Sequence, residues 1–198
     1  MEDNLLPMIP SRPVRADAVK NYRLLLETAR RLFKEQGVAA VSMTQLAEEA
    51  GVGKGTLYRH FNNKMDVCYA LLDEDQRALQ DTTLQRLRRS QTPYDDLLWF
   101  MEQAAQFVIN NTDLLACGED PNSTITLDIP AHIWWRQTII MLLDRLHVDG
   151  DVEYLGDVLY VMLHVNTIHF QRKILKYDTE RIVNGLLSTV QRLYEKYS

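Results

Sequence analysis

The stretch GVGKGTLYRHFNNK, Gly51 to Lys64, sets three glycines and two lysines around Thr56, Tyr58, Arg59 and His60. Those residue types suit phosphate: glycines let a backbone come close, lysines bring charge, and hydroxyls and imidazole donate hydrogen bonds. A nucleotide loop would need G-x-x-x-x-G-K-[ST] behind a buried strand. Here Gly51 follows AEEA, which reads as helix, and no Gly-Lys-Ser/Thr closes the run. The dinucleotide fingerprint G-x-G-x-x-G fails as well, because the third glycine of GVGKGT comes one place early. Phosphate in another setting is then to be considered.

The elements that must position these residues are two short helices and a tight turn. SMTQLAEEAG has a capping-box spacing at Ser42 and Gln45 and an inner face of Leu46, Ala47 and Ala50. Ala47 allows close helix approach, and Gly51, four residues on, supplies the turn. Val52 and Leu57 pack the next helix, KGTLYRHF, against the first. Lys54, Gly55, Thr56 and Arg59 are left to face a major groove, where lysine reads guanine or phosphate and threonine offers a hydroxyl or methyl. Tyr58, His60 and Lys64 are spaced to donate to backbone phosphates, with the N–H groups at the start of the following helix.

Charge is distributed to match. The chain of 198 residues has a net charge of −5, with 46% apolar and 25% charged residues, ordinary for a soluble globular protein. Arg12 to Lys64 holds ten Lys/Arg against five Asp/Glu, a balance of +5 that leaves −10 for the remainder. A basic N-terminal quarter on an acidic body can hold a polyanion by one face and repel it by the rest.

Other chemistry is poorly supplied. Cys68 and Cys117 lack CxxC spacing and read as two reduced thiols. His164 and His169 are five apart and do not align as an i, i+4 metal pair, so no metal or other cofactor is expected. No Ser/His/Asp arrangement carries a nucleophile signature, so no enzyme is expected. The N-terminus is acidic and proline-broken rather than a signal peptide, and TIIMLL and VLYVMLHV fall far short of the ~20 residues of a membrane span. A cytoplasmic protein with no membrane partner follows.

The whole chain reads as all-α, about nine helices. Met1 to Pro13 resembles a disordered arm, and apolar residues from Ala18 to Phe33 then recur at helical spacing up to Gly37. A long fourth helix runs from Lys64 towards Arg89. A fifth follows Pro93, and a short helix precedes the polar stretch CGEDPNSTITLDIP. Pro130 opens another, then come helices over about Val152–Lys176 and Thr179–Tyr197. Expected domains are a flexible arm over 1–15, a three-helix DNA-binding domain over 16–63, and a larger helical domain over 64–198, to which the resemblance given next assigns ligand binding and dimerisation.

Ala18 to Val67 resembles the DNA-binding domain of the tetracycline-repressor (TetR) family of transcriptional regulators. The likeness rests on LLETARRLFKEQGVAAVSMTQLAEEAGVGKGTLYRHFNNKMDV, about the first third of the chain. It implies a homodimer on a palindromic double-stranded operator, most often a repressor released by a small-molecule effector. The operator-contacting positions it implies are Ser42, Thr44, Lys54, Gly55, Thr56, Tyr58, His60 and Lys64. Thr44 stands where the family often has a basic residue, Gly53 where a Ser or Thr caps the helix, and Met65 and Val67 replace an acidic residue and a leucine. Dimerisation through the last two long helices is also implied. The last carries Ile182, Leu186, Leu187, Val190, Leu193 and Tyr194 on one stripe beside small Gly185 and Ser188. Trp99, Phe100, Gln103, Phe107, Trp134, Met141, His164 and Thr167 mix apolar and polar groups as an effector pocket does, with His132, Trp135 and Phe170 beside them. Adjacent Trp134 and Trp135 cannot both face one cavity. An activator, an architectural DNA-binding protein and an enzyme stand as alternatives.

Overall fold

A computed structural model describes residues 13–117 and 130–197. The expected arm over residues 1–12 and most of the polar loop, residues 118–129, lie outside the described residues. Among the described residues the chain is all-helical, with ten α-helices and one π-helical turn. It divides into two compact units, one ending at Leu71 and one starting at Leu72.

In the first unit α1 spans Pro13–Gln36, α2 Met43–Glu49 and α3 Lys54–His60, and the second unit begins within α4, Lys64–Arg89. Residues 13–15, expected to belong to the arm, are helical, because proline at a first helical position lacks only an N–H that would be unpaired anyway. Leu25, Leu26, Ala29, Leu32 and Phe33 of α1 are buried, one face of a 3.6-residue repeat. They share the core with Leu46, Ala47, Leu57 and Phe61, and with Val67, Cys68 and Leu71 of α4.

The second unit holds α5 Pro93–Asn110, α6 Thr112–Ala116, α7 Pro130–Arg145, α8 Val152–Met162, α9 Val165–His169, the π-turn Phe170–Ile174, and α10 Thr179–Tyr197. Its core is contiguous, from Leu97, Phe100 and Met101 through Ile139 and Leu142 to Leu159, Ile182 and Val190. Gly156 marks where α8 meets α7 most closely: a Cβ there would lie 2.5 Å from Ile140 Cγ1.

One expected helix is broken. The segment 152–176 forms α8, α9 and the π-turn rather than a single helix. His164 takes an extended backbone, with ψ 139°, and its side chain accepts the Asn166 N–H at 3.3 Å, capping α9. The Thr167 hydroxyl closes the break by donating to the Val161 carbonyl at 3.0 Å. The expected stripe of α10 is corrected too: Ile182, Leu186 and Val190 are buried in the unit's own core, where α10 packs on α5.

Candidate nucleic-acid interface

The turn between α2 and α3 is built by backbone bonds and one glycine. The Gly51 N–H donates to the Glu48 carbonyl at 3.1 Å, and the Val52 N–H to that of Ala47 at 3.0 Å. Gly51 has φ +65°, a region costly to a residue with a Cβ, although a Cβ would touch nothing there. Backbone conformation, and not a clash, asks for glycine at this position. Ser42 accepts the Gln45 N–H at 3.1 Å and so caps α2. The Gln45 side chain donates to Gln36 instead of back to Ser42, so only half of the expected capping box forms.

Helix α3 has two faces. Leu57 is fully buried, with His60 one turn on and Phe61 just after. Lys54, Gly55, Tyr58 and Arg59 are exposed and lie at i, i+1, i+4 and i+5, so they share the opposite face. Thr56 is half-buried on the flank, Thr44 is half-buried on α2, and Ser42 is exposed at its start. A Cβ at Gly55 would meet open space. Arg59 belongs to the face by geometry, although it is not among the positions implied by resemblance.

Two expected phosphate contacts have other partners. The Lys64 ammonium donates to the carbonyls of Val38, Ala39 and Val41, at 2.7, 3.1 and 2.9 Å. All three of its hydrogens go to the α1–α2 loop in the chain without DNA. His60 turns inward between Tyr22 and Phe61, with ring centroids 5.7 and 6.3 Å away. Its Nε2 is buried without a hydrogen-bond partner. The start of α4 is also occupied: Asn63 accepts the Asp66 N–H at 2.9 Å, and the Asp66 carboxylate accepts the Asn62 N–H at 2.8 Å. This reciprocal cap explains why the Asn62-Asn63 pair both ends α3 and starts α4.

The residues expected to line an effector pocket lie in the second unit, and several have packing or hydrogen-bond partners of their own. Phe100 is fully buried and packs edge-on against Trp134, centroids 5.7 Å apart. Trp135 goes elsewhere, to Phe107 at 5.3 Å and, through its indole N–H, to Gln76 of α4 at 2.9 Å. The Arg86 guanidinium covers the Trp99 ring at 5.0 Å while bonding the buried carboxylate of Asp96 at 2.7 Å. Gln103 and Met141 are half-buried, whereas His164 and Thr167 serve the α8–α9 break. A separate apolar cleft is lined by Leu97, Leu143, Leu155, Leu159, Val190 and Leu193, none of which was expected.

Among the described residues no group of three or more His, Cys, Asp or Glu could hold a metal ion. No described helix is long and apolar enough to cross a membrane. Neither cysteine is in a disulfide.

Two short helices joined at a positive-φ glycine, the second offering a polar, cationic face, define a helix-turn-helix DNA-binding regulator. Residues 25–71 match the family described as bacterial regulatory proteins, tetR family. An HTH-type transcriptional regulator of Staphylococcus aureus (strain COL) is 30% identical over 177 residues, 88% of this chain and 95% of its own length. A TetR-family transcriptional regulator from Streptomyces coelicolor has a similar fold, with TM-score 0.66 and 23% identity over 91% of this chain and 97% of that one. A gamma-butyrolactone receptor (ArpA-like protein) superposes with TM-score 0.55 and 19% identity over 91% of this chain and 99% of that one. The chain belongs to the TetR family of transcriptional regulators.

Proposed function

We propose that the chain is a repressor that binds a palindromic operator as a homodimer and leaves it when a small-molecule effector binds the second unit. The observation that carries the DNA reading is the exposed face of α3. Lys54 and Arg59 supply charge-assisted donors, Tyr58 a hydroxyl, and Gly55 a place without a side chain where a groove wall can come close. Ser42, Thr44 and Thr56 flank it. Residues 16–63 are assigned to operator reading and 64–198 to effector binding and dimerisation.

The dimer reading rests on surfaces that the second unit leaves uncovered. Tyr154, Val158 and Val161 of α8 are exposed at i, i+4 and i+7, an apolar stripe that the described residues leave uncovered. Gly185 lies in mid-helix on α10, where a Cβ would meet open space, with exposed Ser188 one turn on. A second copy packed there would bury the stripe and use the close approach that glycine permits. Effector release is supported by the likeness to a protein described as a gamma-butyrolactone receptor. In such a mechanism α4, which contributes to both units, carries the change, and the effector lowers operator affinity only by its differential preference for the released state.

Selection of bound duplexes from a random library tests the class: a palindrome with half-sites ~34–36 Å apart, or a small multiple, is expected. Lys54→Ala with Tyr58→Ala should abolish the gel shift on that palindrome and leave the sedimentation coefficient unchanged. Wild-type affinity in the double variant would refute the assignment of α3. Val158→Glu should give a monomer by sedimentation; an unchanged dimer would move the interface elsewhere.

A further inference from the structure

The outward side chains of α3 stand in two rows. Lys54 and Tyr58 form one, Gly55 and Arg59 the other, each pair four residues apart and so on adjoining turns. Side chains on a helix lean towards its N-terminus, so each covers the surface of the turn before its own. Tyr58 leans over a turn that already carries the Lys54 stem. Arg59 leans over Gly55, where even a Cβ would meet open space. The longest side chain of this face therefore stands beside a bare stretch of backbone, where a groove floor can come close.

The Arg59 guanidinium is also uncommitted. Among the described residues it makes no hydrogen bond or ion pair, and α3 itself carries no carboxylate. Carboxylates of the flanking helices have other partners: Glu49 of α2 accepts from Arg31 at 2.8 Å, and Asp66 of α4 from the Asn62 N–H at 2.8 Å. Arg31 and Lys64 of the same unit, by contrast, are already bound within the chain, to two glutamates and to three carbonyls. Guanine presents O6 and N7 side by side on its major-groove edge, and the planar guanidinium fork donates to both at once. A phosphate needs charge or a single donor but no fork, which a lysine ammonium and a tyrosine hydroxyl satisfy.

We propose that Arg59 is the specificity-determining residue of α3 and reads one guanine in each operator half-site. Its guanidinium donates to O6 and N7 of that base, and Gly55 lets the helix sink far enough into the groove for it to arrive. Lys54 and Tyr58 hold the phosphate backbone from the neighbouring row. This rests on the reading of the chain as an operator-binding regulator, and adds which residue chooses the sequence and which base it chooses.

The test uses the full chain and duplexes selected from a random library, once with wild type and once with Arg59→Ala. Arg59 is exposed and alanine favours helix, so the substitution should not lower the thermal midpoint. Wild type should recover a site with a fixed guanine in each half, and Arg59→Ala the same site with that position open to any base. On the guanine-bearing site the variant should bind about ten- to hundredfold more weakly, the discrimination of a bidentate contact. With adenine at that position the two proteins should differ far less, because the lost side chain and the lost base belong to one interaction. Placing 7-deazaguanine there removes the N7 acceptor and keeps the base pair, so it should weaken wild type and not the variant. An equal loss on every sequence, with a salt slope smaller by ~0.9, would make Arg59 a phosphate contact and overturn the proposal. Recovery of the same guanine by Arg59→Ala would overturn it too, while leaving the operator reading intact. A selected site without an inverted repeat that still showed the coupling to guanine would sustain the base contact and refute the palindrome. No enriched sequence with wild type would overturn both.

Discussion

Replacing Lys64 by methionine separates two roles that one lysine at the edge of a DNA-binding helix could have. The ammonium donates three bonds, of which those to the Val38 and Val41 carbonyls are partly buried and that to Ala39 is exposed. Methionine keeps the length of the stem and removes the donors. The exposed carbonyl regains water at little cost, but each partly buried one loses a charge-assisted bond of about 1.5 kcal/mol at the low end of the range. The expected destabilisation is about 3 kcal/mol, or roughly 6–12 °C in the thermal midpoint of a chain of this size. Differential scanning calorimetry measures it directly. The complementary measurement is the salt dependence of operator binding at a temperature where the variant is folded. A lysine saturated by carbonyls neutralises no phosphate, so the slope of log K against log salt should not change. A phosphate-bound lysine would lower that slope by ~0.9 and leave the midpoint nearly unmoved. A variant with wild-type midpoint and a reduced slope would refute the carbonyl clamp.

Further outcomes follow from single positions. Gly51→Ala, at φ +65°, should cost about 1–2 kcal/mol in chemical denaturation, whereas a stability within ~0.5 kcal/mol of wild type would show that the turn relaxes at no cost. Gly55→Ala should stabilise the chain by up to about 1 kcal/mol, since the added methyl meets open space, while weakening operator binding in a gel shift. Unchanged binding would show that no groove wall approaches Gly55. His164 has a folded-state pKa lowered by burial first and by His132 second. The unfolded chain therefore takes up a proton that the folded chain resists, so stability is full above about pH 6.5 and falls as the pH drops from there towards the lower folded value. His164→Asn should flatten the thermal midpoint across that window, with His132 and Tyr160 as the titratable neighbours left in place.

The helix-turn-helix was legible because its determinants are local. Ser42 caps a helix three residues ahead, Gly51 turns the chain where it stands, and Leu57 follows the turn at the spacing that buries it. The carbonyl partners of Lys64 were not legible because they lie 23–26 residues back, in a loop whose carbonyls leave no trace in residue types. The break at His164 was hidden for a related reason. Apolar periodicity runs on through residues 152–176, and the imidazole that interrupts it does so by accepting the Asn166 N–H two residues on. In α10 the stripe Ile182, Leu186 and Val190 was visible, but periodicity says that a face is buried and not by what. Here the covering element is α5 of the same chain.

The same distinction points to function from the other side. Gly156 is explained within the chain, by Ile140 pressed against it, and Gly51 by its φ. Gly55 and Gly185 have neither justification: each lies in a helix, faces open space, and costs up to about 1 kcal/mol against alanine. Such positions raise the free energy of the isolated chain, and a partner that uses the close approach would offset it. Each of the two surfaces then asks for a different occupant. An exposed glycine between cations suits a phosphate-walled groove. An exposed glycine on a helix whose unit also bears an apolar stripe uncovered by the described residues suits a second copy. If Gly55→Ala impaired operator binding alone and Val158→Glu dimerisation alone, the two occupants would be separable. A single variant that abolished both while the chain stayed folded would argue for one coupled surface instead.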